Sequence, residues 1–179
     1  MMAGIIPLPQ APVPPTPPIT PSAPASGAQL PAHVLRQFRM VFNAVRNHFQ
    51  QVEKRVGIGG AQVWALHIIE QQDGVGVTDL ARVMDIHQST ASNLVKSLLQ
   101  AGLVRSEKTA HDRRAVQLHI QPQGQALLAQ APGPYEGVLP EALQQLSPAT
   151  LLRLHQDLDA LLKQLQPDES AARIPLAEL

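Results

Sequence analysis

Apolar residues recur at steps of three and four near both ends of the chain. Leu35, Phe38, Phe42, Val45, Phe49 and Val52 form one such stripe, which predicts a helix over residues 33–56. Leu151, Leu154, Leu158, Leu161 and Leu165 form the other, behind Ser147-Pro148, a cap followed by proline in the first turn. Seams this narrow and regular pack against another helix. Because they flank a central module, a second copy of the chain is the economical partner, with packing of the two on each other as the alternative. The expected dimerisation residues are Leu35, Phe38, Phe42, Leu151, Leu154, Leu158, Leu161 and Leu165.

Between the seams, Ala61, Trp64, Ala65, Ile68 and Ile69 share one side of a helix over about residues 60–72, which Asp73-Gly74 ends. Trp64 is expected in the core. Thr78 is then expected to cap a short helix over residues 79–84, followed by a turn at Asp85-Ile86 and a second helix over residues 88–101 that stops at Gly102. Leu80, Ala81, Met84, Ile86, Ala91 and Leu94 have the spacing by which a helix-turn-helix buries its inner faces, with Ala81 at the closest approach. Such turns often use glycine to reach a left-handed conformation, and Asp85 is among the few other residues that tolerate it. Leu103-Val104 leads into a strand. Val116, Leu118 and Ile120 alternate with Gln117, His119 and Gln121 in a second, so a hairpin is implied, its tip over residues 108–114 projecting into solvent.

The expected fold is mainly α with a small β-hairpin wing: a winged helix-turn-helix lobe plus N- and C-terminal dimerisation helices. The boundaries divide into a disordered Pro-rich tail (1–31), an N-terminal dimerisation helix (32–57), the winged lobe (58–121), C-terminal dimerisation helices (122–166) and a flexible tail (167–179). Ten of the seventeen prolines and no charged residue fall in the first 31 positions, so no element there could keep its hydrogen bonds or bury a face; a ligand for a proline-binding groove is the alternative.

Composition adds limits. The 179 residues, 44% of them hydrophobic, suffice for one core. Fourteen cations balance fourteen acids, so no overall basic field advertises a nucleic-acid partner. Their distribution is uneven: five basic against one acidic over residues 33–55, six against four over 78–121, and three against seven from Pro122 onward. With no cysteine, disulfides, thiolate metal sites and thiol switches are excluded. No apolar run approaches the roughly 20 residues of a membrane span, and no signal-peptide pattern opens the chain, so a cytoplasmic protein without a membrane partner is expected.

The second helix of the central pair divides by face. Ala91, Leu94, Val95, Leu98 and Leu99 are expected inward, leaving Gln88, Ser89, Thr90, Ser92, Asn93 and Lys96 outside with no acid from Gln88 to Gln100. Hydroxyls and amides bond base edges and phosphates alike, and an acid-free face does not repel the backbone, so a major-groove role fits; a plain polar surface is the alternative. On the hairpin tip, Lys108, Arg113 and Arg114 suit a narrow, negative minor groove, with Asp112 able to pin an arginine. Nothing points to an enzyme: His111 and Asp112 sit on the projecting tip and no glycine-framed serine accompanies them. No catalytic residue, cofactor or metal is expected; His67 and Glu70, three apart on a helix, are two metal-ligand types without a third. The competing binding role is a winged helix that contacts protein without specific DNA binding.

Thr78-Asp79-Leu80-Ala81, the run from Gln88 to Val95, Ala101-Gly102-Leu103-Val104 and Asp112-Arg113-Arg114-Ala115-Val116, in this order and spacing, resemble the MarR family of bacterial regulators over about residues 35–164. The resemblance implies a homodimer with interlocking terminal helices, each winged helix-turn-helix reading half of a palindromic operator. It implies Arg114 in the minor groove, braced by Asp112, with Arg113 on a phosphate. It further implies repression of the family member's own or neighbouring genes, and for many members release of DNA by a small anionic aromatic inducer in the cleft between dimer helices and lobe. Two departures stand out. Where the family closes its wing with Leu-Thr-x-x-Gly, this chain has Ile120-Gln121-Pro122-Gln123-Gly124, so a weaker cap is expected. The family's long fifth helix would run through residues 123–145, where Pro132-Gly133-Pro134 and Pro140 should break it.

Overall fold

The computed structural model describes residues 29–108 and 116–178. The chain divides into two units between Arg36 and Gln37; of the first, the described residues are the opening turns of helix α1. The elements run α1 (Leu30–Val56), α2 (Gly60–Gln71), α3 (Val77–Val83), α4 (Gln88–Gln100), β1 (Val104–Lys108), β2 (Val116–Ile120), α5 (Pro122–Leu128), α6 (Val138–Gln144) and α7 (Pro148–Leu165), followed by 3-10 turns at Glu169–Arg173 and Leu176–Glu178. The fold is mainly helical with one antiparallel hairpin, as expected.

The core belongs to the lobe around α2. Ala61, Val63, Ala65, Leu66, Ile68 and Ile69 are all buried, because α2 is covered by α3, α4, α5 and β2 on several sides rather than one. Val63 and Leu66 thus join the expected inner face, and Trp64, expected in the core, packs against it half-buried. α3 and α4 cross through Leu80, Ala81, Met84, Ile86, Ala91 and Leu94, all buried. Between them Asp85 has φ 50°, the left-handed turn its side chain tolerates. Ile86 then donates its backbone N–H to Ala81 O at 3.0 Å, which fixes the turn.

Three expected details differ. α3 begins at Val77 with Gly76 as its N-cap, so Thr78 lies within the first turn instead of capping it. Leu99 is exposed rather than inward, because Leu98 and Val95 already fill the space against α2 and β1. The helix over residues 123–145 is broken as expected, ending at Leu128 ahead of Pro132-Gly133-Pro134, but Pro140 breaks nothing: it sits in the first turn of α6, where a missing N–H costs nothing.

β1 and β2 pair from Val104↔Ile120 to Lys108↔Val116, and Val75 adds a one-residue bridge to Leu118. The alternation on β2 buries Leu118 fully against α2. Gln121 offers α5 no side-chain cap, in keeping with the missing threonine, while Pro122 occupies the first turn. α5 packs on α2, with Leu128 in the core. Ser147 caps α7, accepting from Thr150 N–H at 3.2 Å with Pro148 in the first turn, as its sequence predicts. α7 buries none of its residues: Leu151, Leu154 and Leu158 are half-exposed, and Leu152, Leu161, Leu162 and Leu165 exposed. α1 likewise leaves Leu35, Met40, Val41 and Phe42 exposed and buries Val45, His48 and Val52 toward its end. Among the described residues no helix is long and apolar enough to cross a membrane.

Candidate nucleic-acid interface

α4 is held from beneath by Ala91, Leu94, Val95 and Leu98, so its opposite side is fixed in solvent. On that side Gln88, Ser89, Ser92, Asn93 and Lys96 are exposed and Thr90 is half-buried, which brings the six expected helix residues onto one element. Two are engaged locally. Gln88 Nε2 donates to Thr78 Oγ1 at 3.2 Å, tying the start of α4 to α3, and Ser92 Oγ donates to Gln88 O at 2.8 Å, leaving its lone pairs free to accept. Gln62 of α2 donates to Ser97 Oγ on the flank, which locks α4 against α2. The face therefore offers hydroxyls, amides and one ammonium in a fixed array without a carboxylate, a set able to bond both base edges and phosphates.

Lys108 is exposed at the end of β1. Asp112, Arg113 and Arg114, the other expected wing residues, lie outside the described residues. The base of the hairpin is braced by polar contacts: His119 Nδ1 lies 2.7 Å from Asp73 Oδ1, His119 Nε2 3.8 Å from Glu107, and Arg105 pairs with Glu107. This array ties β2 to the α2–α3 turn and so fixes where the hairpin leaves the lobe. Alternation on β2 placed His119 opposite the buried Leu118 side, but Asp73 gave no sequence signal of its partner, since the two are 46 positions apart.

The eight seam residues divide between α1 and α7 as expected, Leu35 and Phe42 exposed and Phe38 half-buried. Phe38 and Phe42 stack on one another at 6.2 Å. Phe49, from the same stripe, turns to the lobe, packed where Gly60 and Gly137 lack a side chain. A cavity of about 540 Å³ opens here, walled by Phe42, Phe49, Arg46 and Glu53 of α1 and by Leu176 and Ala177. Sequence reasoning missed the last two, having taken residues 167–179 for a flexible tail; the apolar run Ile174-Pro175-Leu176 in an otherwise polar stretch was the available signal. In the structure Pro175 is buried, and the Leu176–Glu178 turn packs on α2.

His67 lies 3.7 Å from Glu70 and packs tilted against Tyr135, ring centroids 4.6 Å apart. Among the described residues no group of three His, Asp or Glu side chains converges as a metal site.

Two helices crossing at a left-handed turn, followed by a paired hairpin and covered by α2, constitute a winged helix-turn-helix. Residues 56–115, which span the lobe from α2 to the hairpin, match the model of the MarR family. A comparison with curated proteins returns no match. Among solved structures, the chain resembles Sco3205, a MarR family transcriptional regulator from Streptomyces coelicolor in complex with DNA. Identity is 22%, the match covers 84% of this chain and 96% of that one, and the TM-score is 0.55. A Staphylococcus aureus MepR–DNA complex matches at 22% identity over 74% and 97%, with a TM-score of 0.53. Another MarR family transcription regulator matches at 16% identity over 78% and 91%, with a TM-score of 0.51. At these identities the likeness establishes the fold.

Proposed function

We propose that the protein is a homodimeric, sequence-specific DNA-binding transcription regulator acting as a repressor, with α4 in the major groove and the hairpin in the adjacent minor groove. The observation that carries this reading is the face of α4: an exposed, acid-free array of Gln88, Ser89, Ser92, Asn93 and Lys96 on a helix whose other side is locked in the core. Its support is the fold shared with Sco3205 and MepR, both solved in complex with DNA. Dimerisation through α1 and α7 is supported by the leucines of α7, none of which is fully buried among the described residues. A palindromic operator follows from two-fold symmetry. The cavity beside Phe42 and Phe49 supports a small aromatic inducer, with Arg46 available to pair with an anionic group and Glu53 in the same wall opposing one.

The test is a fluorescence-anisotropy titration against DNA upstream of the protein's own coding region, over a range of salt. Binding at one dimer per palindrome, weakening steeply with salt, is the expected result, because phosphate contacts release counterions. Arg114→Ala should weaken binding by ~1–3 kcal/mol while leaving the dimer intact. Salt-independent capture of a protein partner, with no duplex bound above random DNA, would replace this reading by a protein-contact module.

A further inference from the structure

After α7 the chain runs back over the lobe. Asp168 Oδ1 accepts from Ser170 N–H at 2.9 Å, and Ser170 O lies 3.3 Å from Nε2 of His87, the N-cap of α4. Ala172, Ile174, Pro175 and Leu176 then line a pocket together with Trp64, Met84 and Ile86. Ala177 and Glu178 end in a groove of about 220 Å³ shared with Gln62, Asn93 and Ser97. The segment thus meets α4 twice, at its start through His87 and at its middle beside Asn93.

The segment from residue 167 to 178 carries Asp168, Glu169 and Glu178 against a single Arg173. The face it approaches is acid-free. Asp168 sits near His87 at the start of α4 and Glu178 lines the groove with Asn93 at its middle, so a polyanion seating along α4 meets both carboxylates and the segment that carries them. We propose that residues 167–178 form an autoinhibitory strap, which docks on the lobe, sets its carboxylates against the face of α4 and must lift before a nucleic-acid duplex can seat there. This rests on the DNA-binding reading of α4.

The strap's attachments are of a kind that release. The bond to His87 is single, long and exposed, and Ile174 and Leu176 keep 44% and 37% of their surface in solvent, leaving Pro175 as the buried residue. The backbone N–H and hydroxyl of Ser170 hold the Asp168 carboxyl below the ordinary aspartate range, with a lesser contribution from His87, so it stays negative at neutral pH. Leu176 and Ala177 also wall the 540 Å³ cavity, so an occupant of the cavity touches the element that meets α4.

Because the chain lacks cysteine, His87→Cys with Ser170→Cys introduces the only thiol pair, and one protein serves as its own control when oxidised and reduced. Binding of a mixed-sequence duplex at low salt should be roughly tenfold weaker for the oxidised form, with the disulfide verified by mass. In the otherwise unaltered full chain, Asp168→Asn with Glu178→Gln should bind the duplex several-fold more tightly than wild type, and the gain should shrink as salt screens the charges. Equal affinity of the oxidised and reduced forms would overturn the strap, as would a charge variant that melts earlier and binds no better, the signature of a merely structural clamp. If the disulfide does not form, the charge variant alone decides: a tighter, salt-sensitive complex supports the strap and unchanged affinity overturns it. If the disulfide forms but wild type and all variants ignore every duplex, the DNA-binding reading of α4 fails, and this inference with it.

Discussion

Asp85 occupies a backbone region that nearly every residue except glycine, asparagine and aspartate avoids, and it does so where α3 must turn sharply into α4. The turn is over-determined by its neighbours: Met84 and Ile86 are both buried, and Ile86 N–H is bonded back to Ala81. Asp85→Gly should therefore leave stability within about 0.5 kcal/mol of wild type or raise it slightly, since the glycine relieves a left-handed strain. Asp85→Val places a β-branched side chain at φ 50° and should cost ~1–3 kcal/mol. Urea unfolding of the two variants at an unchanged denaturant slope checks both signs. Equal losses would mean that the aspartate side chain, rather than its conformation, matters there.

The elements with a strong period were legible in the sequence, and those set by tertiary contacts were not. α1, α4, β2 and α7 end within a few residues of expectation, because each has an apolar face and a cap or stop signal. The start of α3 was misplaced because Gly76 presents no capping side chain, while Thr78, two positions on, does. The docked segment after α7 was unreadable by period, since two 3-10 turns have none; its Leu176–Glu178 turn finds its partner on α2, more than a hundred positions away. On the candidate site, periodicity placed the outer face of α4 correctly, yet it could not foresee that Thr78 would bond Gln88 or that Asp73 would hold His119. The junction of hairpin and α5 is equally tight. A Cβ on Gly124 would run into the backbone carbonyl of Leu103 and meet Ile120 Cγ1 at 3.0 Å. Backbone cannot move aside as a side-chain tip can, so Gly124→Ala should lower stability by ~1–3 kcal/mol in a thermal or denaturant melt. A neutral result would mean that α5 is free to slide on the hairpin.

For the whole molecule, the decisive asymmetry lies between a lobe that buries a continuous core and terminal helices that do not. Leu66, Ile69, Leu80, Leu98 and Leu118 are fully buried within one lobe, whereas α7 presents leucines on a half-exposed seam. If a second copy covers that seam, burying each leucine is worth about 1.5–3 kcal/mol, so several together stabilise the pair by as much as a whole domain's net stability. Leu158→Asp in α7 should then abolish self-association in sedimentation while the lobe stays folded, because Leu158 is not part of its core. Trp64 fluorescence reads the lobe independently, being half-buried against that core. In the wild type, the melting temperature should rise with protein concentration, as mass action requires when folding and association are linked. A Leu158→Asp variant of unchanged mass would place the seam elsewhere. Loss of the lobe together with the dimer would mean instead that α7 is indispensable to the core it leaves exposed.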